Sequence, residues 1–118
     1  NPMVDIIAHP GNPNYPIDID KFIEVAHETE TLIEINNSSF TVSRKGSEEN
    51  CRRIAAKAKE KGVVLAAGSD SHVSFDVGNF NKVNEVFEEL NMPESLVINT
   101  DPQKLIDYLN KKGKKVKL

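Results

Sequence analysis

Val63-Val64-Leu65-Ala66-Ala67-Gly68-Ser69-Asp70-Ser71-His72 is an apolar run that ends abruptly in a carboxylate and an imidazole two residues apart. The run from Val63 to Ala67 carries no charge and no alternation, as expected of a parallel strand covered on both faces. Gly68 then frees the backbone to turn. Asp70 offers a hard oxygen and His72 a borderline nitrogen, a pairing that suits Zn²⁺, Mn²⁺ or Fe²⁺. Taken alone, the same residues also read as a polar loop in which Asp70 or Ser71 caps the next helix.

The flanking sequence alternates strands and helices. Met3 to Ala8 is predicted to be a strand, closed by the turn formers His9-Pro10-Gly11-Asn12-Pro13. Ile19, Phe22, Ile23 and Ala26 then recur with helical period behind Asp18, the expected N-cap. Thr31 to Asn36 is a second strand, running into the polar loop Asn37-Ser38-Ser39. Ser47 is expected to cap a helix whose apolar face is Cys51, Ile54, Ala55 and Ala58, with Gly62 just past its end. After the third strand, Phe80, Val83, Phe87 and Leu90 mark a helix stopped by Pro93. A short fourth strand is predicted over 96–99, and Pro102 opens a last helix with Leu105, Ile106 and Leu109 inward. The order β-α-β-α-β-α-β-α calls for α/β architecture with a parallel sheet and helical crossovers.

In such folds ligands gather beyond the carboxyl ends of the strands. His9, Asn36, Asn37, Asp70 and His72 are all predicted there, on three strands. His9, Asp70 and His72 can together hold one catalytic zinc with a position open to water, although His9 also reads as a loop histidine packed by Pro10. Asn36 and Asn37 can orient a substrate or a ligand's ring nitrogen, or serve as turn residues. Ser43-Arg44-Lys45-Gly46-Ser47 brings two cations to a helix N-terminus, an arrangement that favours phosphate, although two ordinary surface cations would look the same. His27 falls on the polar side of its helix and reads as a solvated residue.

Bulk properties narrow the classes. With 15 basic and 18 acidic residues in 118, the net charge is −3, which argues against a nucleic-acid footprint. The lysines at 111, 112, 114, 115 and 117 read as a solvated helix end. No apolar run approaches the roughly 20 residues of a membrane span, so no membrane partner is expected. Cys51 is the single cysteine and reads as core; without a disulfide framework, a reducing cytoplasmic setting is expected. The chain enters an apolar strand within two residues of Asn1, as a piece of something longer would.

Four ordered motifs resemble the carboxyl-terminal half of the polymerase-and-histidinol-phosphatase (PHP) family, and within it the YcdX-type phosphatases. They are His9-Pro10-Gly11-Asn12-Pro13, Glu34-Ile35-Asn36-Asn37-Ser38-Ser39-Phe40, Ser43-Arg44-Lys45-Gly46-Ser47-Glu48 and Gly68-Ser69-Asp70-Ser71-His72. The resemblance implies a distorted (β/α)7 TIM-like barrel, of which residues 1–118 form the second half of one domain. It also implies a centre of up to three metal ions, commonly zinc, and hydrolysis of a small phosphorylated substrate. On that basis His9, Asp70 and His72 carry over as metal ligands, and Arg44 and Lys45 as the basic loop at the substrate phosphate. Asp70, His72 and Arg44 would be the catalytic set. The family's remaining ligands precede the position matched by Asn1, so a complete centre requires roughly 120 more residues of a barrel of about 250. Without them the first strand would expose an edge on which other chains can pair, leaving homo-oligomerisation open. Two other readings stand beside the phosphatase. One is a non-catalytic PHP-fold assembly domain, disfavoured by the joint presence of His9, Asp70 and His72; the other is a barrel hydrolase of C–N or C–O bonds, disfavoured by Arg44-Lys45.

Overall fold

β2, over Leu32–Asn36, lies between β1 (Ile6–Ile7) and β3 (Leu65–Gly68) in a parallel three-stranded sheet of order β1-β2-β3. The computed structural model describes residues 1–41 and 46–117. Ile6 and Ile7 pair with Leu32 and Ile33, and Ile33 to Asn36 pair with Leu65 to Gly68. Among the described residues the α-helices are α1 (Ile19–Glu28), α2 (Ser47–Lys61), α3 (Asn81–Glu89) and α4 (Pro102–Lys111).

Side chains of a strand alternate between faces, and here the alternation separates two apolar clusters. Ile33, Ile35 and Leu65 join Ile23 and Ala26 of α1, Ile54, Ala55 and Ala58 of α2, and Val83 and Val86 of α3 in the main core. The two alanines at the centre of α2 let its backbone approach the sheet. Each fully buried isoleucine in this layer contributes about 1.5–3 kcal/mol of transfer free energy. Leu32, Ala66 and Ile98 form a second cluster against Val64 and Tyr108. The apolar run around Leu65 is therefore covered on both sides, as its composition requires. Cys51 is buried within α2, as expected.

Capping explains most boundaries. Asp18 accepts a hydrogen bond from Lys21 N at 3.1 Å to open α1, and Asp101 accepts one from Gln103 N at 2.8 Å to open α4 behind Pro102. Gly62 ends α2 at φ +76°, a left-handed conformation that glycine adopts without strain. At the start of α2 the expectation is corrected by one residue: Gly46 holds the N-cap position and Ser47 is the first helical residue, fully buried.

Other expectations fail for local reasons. The predicted first strand shrinks to two residues: Val4 N donates to Asn1 O at 3.1 Å in a local turn before it, and His9 takes φ +34° after it. The predicted fourth strand is not formed. Leu96 N, Val97 N and Thr100 N donate instead to Pro93 O, Glu94 O and Val97 O in 3-10 turns, leaving only a single parallel bridge, Leu65 to Val97. The place of the next pair is taken by a side chain: Ala67 N donates to Asn99 Oδ1 at 2.7 Å, and Asn99 Nδ2 donates to Ala67 O at 3.0 Å. The inward face expected for α4 holds in part: Ile106 and Leu109 are partly buried, but Leu105 is exposed. Tyr108 also docks the helix, its hydroxyl donating to Asp5 O at 2.8 Å. Nor is the lysine-rich end wholly solvated. Lys112 Nζ donates to Val4 O at 2.6 Å, and Lys114 Nζ lies 3.3 Å from Asp5 Oδ2, tying the end of the chain to the start of β1. Among the described residues, no helix is long and apolar enough to cross a membrane.

Replacing Asn99 with Ala should lower the unfolding free energy by about 1–2 kcal/mol, since two neutral hydrogen bonds to Ala67 are lost. Chemical denaturation checks this. Asn99→Asp should be no better, because it turns an acceptor toward Ala67 O.

Candidate functional site

The carboxyl ends of the three strands carry the residues with chemistry. His9 follows β1, Asn36 closes β2, and Asp70 and His72 follow β3. Two of these sit in left-handed backbone: His9 at φ +34° and Asp70 at φ +54°. Non-glycine residues adopt such angles at a steric cost that the surrounding structure must hold in place, a condition common at ligand-binding positions.

Hydrogen bonds knit the strand ends together. Glu34 Oε2 accepts from His9 N at 2.8 Å, linking β2 to the turn after β1. Asn50 Nδ2 of α2 donates to Gly11 O at 3.1 Å in the same turn. Ser38 Oγ donates to Ser69 O at 3.4 Å, joining the segments that follow β2 and β3. His72 Nδ1 lies 2.8 Å from Asp70 O. A carbonyl can only accept, so this contact calls for the hydrogen on Nδ1, which in the neutral ring leaves the lone pair on Nε2.

Asn36 and Asn37, adjacent in sequence, have different surroundings. Asn37 Oδ1 accepts from Lys82 N at 2.9 Å and Val83 N at 3.2 Å, the N2 and N3 amides of α3. It thus caps that helix from across the fold, a task Phe80 at the N-cap position cannot perform with its own side chain. Asn36 is 1% exposed, yet its Oδ1 has no hydrogen-bond partner among the described residues. The hydroxyls of Ser39 and Ser47 share that condition, as does Asp5 Oδ1 at the opposite end of the sheet. A buried unpaired acceptor costs about 1–3 kcal/mol, so the Asn36 oxygen at the end of β2 is a group that a polar ligand could satisfy.

Arg44 and Lys45, with Ser43, lie outside the described residues. Among the described residues no three His, Cys, Asp or Glu side chains stand close enough to hold a metal ion together. His9, Asp70 and His72 share one edge of the sheet without forming such a cluster. His27 is exposed on α1 and borders a cavity of about 330 Å³ beside Thr31, Tyr108 and Lys112, near the amino end of β2.

Glu34 escaped the sequence reading as a site residue. The signal was present: a lone carboxylate between Ile33 and Ile35 in an otherwise apolar buried strand has no packing rationale.

No family model matches the chain. Curated relatives do. The chain is 59% identical over 116 residues to a protein of Thermoanaerobacter sp. (strain X514) named "Probable phosphatase", a match covering 98% of this chain and 47% of that one. It is 51% identical over 114 residues to a "Probable phosphatase" of Clostridium acetobutylicum, covering 97% and 47%. With a "Probable phosphatase" of Serratia proteamaculans the identity is 49% over 111 residues, covering 94% and 45%. The chain spans about half the length of the curated relatives it matches.

Asn36→Leu, which keeps the shape and removes the unpaired oxygen, should raise the unfolding free energy by up to about 1–3 kcal/mol. A loss beyond about 3 kcal/mol on chemical denaturation would mean that the oxygen has a protein partner.

Proposed function

We propose that the chain is the carboxyl-terminal half of a metal-dependent phosphoesterase barrel of PHP type, which hydrolyses a small phosphate monoester in the cytoplasm. The observation that carries this reading is that His9, Asp70 and His72 follow strands at one edge of a parallel sheet, where the buried Asn36 oxygen has no hydrogen-bond partner among the described residues. The names of the relatives point to the same chemistry.

The donor set suits a borderline dication, with one carboxylate, two imidazoles and a His72 ring whose Nδ1 hydrogen is already engaged. His9, Asp70 and His72 would hold zinc, or manganese or iron, with up to three ions in the complete domain. When bound, such a metal supplies Lewis-acid charge neutralisation and a water acidic enough to attack at neutral pH. The chain's own cations act on the substrate. Arg44 can pair two phosphoryl oxygens at once with its planar fork and so stabilise the charge that builds on them during transfer. Lys45 offers a point charge beside it.

The full-length protein should hydrolyse an aryl phosphate when Zn²⁺ or Mn²⁺ is added and lose that activity on chelation. Asp70→Ala should abolish it; turnover at the parent rate in that variant overturns the ligand assignment. Arg44→Ala should reduce kcat/KM by an amount equivalent to about 2–4 kcal/mol with metal content unchanged. Metal loss in that variant, or unaltered kinetics, would make the loop structural. Lys45→Ala, assayed alongside, identifies which cation faces the substrate.

A further inference from the structure

Glu34 occupies the centre of β2 and, by alternation, faces the same side as Leu32 and Asn36, away from the Ile33 and Ile35 of the main core. Its two oxygens point to different strands. Oε2 accepts the His9 N–H at 2.8 Å, beyond the end of β1. Oε1 lies against Gly68 at the end of β3: a Cβ there would stand 1.9 Å from Oε1 and 2.8 Å from Cδ, so a side chain at this position would displace the carboxylate from where it lies. One side chain therefore spans all three strands at the level where the candidate ligands begin. The residue it grips on β1 is His9, held at φ +34°. Gly68, which it presses on β3, is two residues before Asp70.

We propose that Glu34 is a positioning residue that fixes His9 at the strand edge it shares with Asp70 and His72, acting through the His9 backbone and bearing on Gly68, without itself touching the substrate. The proposal rests on the metal-dependent reading of those three residues. A charged acceptor is suited to the task, because a carboxylate binds an amide more tightly than a neutral carbonyl and so holds a backbone conformation that a histidine would otherwise leave. The absence of a side chain at Gly68 follows from the same arrangement. It is the counterpart of the carboxylate.

Zinc affinity by chelator competition and exchange of the His9 amide hydrogen, both in the full-length protein, test this. Glu34→Ala should weaken zinc binding about 10–100-fold, the usual effect of removing a group that orients a ligand, and should speed exchange at His9. Glu34→Gln, which still offers a carbonyl oxygen to His9 N–H, should recover most of both losses. Gly68→Ala should resemble Glu34→Ala. The double variant should be no worse than Glu34→Ala alone, because removal of the carboxylate makes room for the new methyl group. Unchanged exchange or unchanged zinc affinity in Glu34→Ala overturns the proposal. So does Glu34→Gln failing as badly as Glu34→Ala, which would assign the charge itself a direct role. If the parent protein binds no zinc, the metal-dependent reading falls, and the exchange measurement alone decides whether Glu34 holds His9.

Discussion

Parallel pairing on both edges of β2 is the constraint from which the other elements take their places. A central parallel strand has both rows of peptide groups engaged and both faces available for burial. Its alternation therefore decides what can stand where. Ile33 and Ile35 collect α1, α2 and α3 on one side, while Leu32 faces the smaller cluster that Tyr108 covers. Toward its carboxyl end that second face turns polar, with Glu34 and then Asn36, and the other two strands reach the same level at His9 and Gly68. Packing and candidate chemistry thus divide along a single strand.

The polar network at this edge also joins the candidate site to the stability of the fold. Asn37 caps α3, Asn50 holds the turn after β1, and Ser38 links to the segment after β3. These contacts are between elements far apart in sequence. Local fluctuation of one loop is therefore resisted by its neighbours, and the left-handed residues His9 and Asp70 sit inside a braced frame.

Periodicity in the sequence was enough to place four helices and three parallel strands, because apolar spacing and start signals such as the Asp18 cap and Pro102 at a first helical position act over a few residues. It failed at residues 96–99, where Leu96, Val97 and Ile98 have strand-like composition but their backbone is engaged in local turns. Composition cannot report which of two hydrogen-bond partners wins. The same limit applies to Asn37: a strand-end asparagine is compatible with a turn or a ligand, and only the fold brings the amides of α3 to it. His9, Asp70 and His72 were legible as residues at strand ends because turn formers follow the apolar runs directly. Glu34 was not, since its partners are a backbone amide and a missing side chain, neither of which leaves a mark in a pattern of residue types.

The amide of Asn99 has a consequence for association. By supplying both a donor and an acceptor to Ala67, it imitates one peptide unit of an adjoining strand without the length of a strand. Sheet edges are ordinarily protected by charge, proline or a bulge, each of which makes an incoming chain unwelcome. Here the edge is quenched by occupation. An approaching polypeptide would have to displace a side chain already paired in both directions before it could template on β3, which gives that flank of the sheet a built-in resistance to cross-β growth.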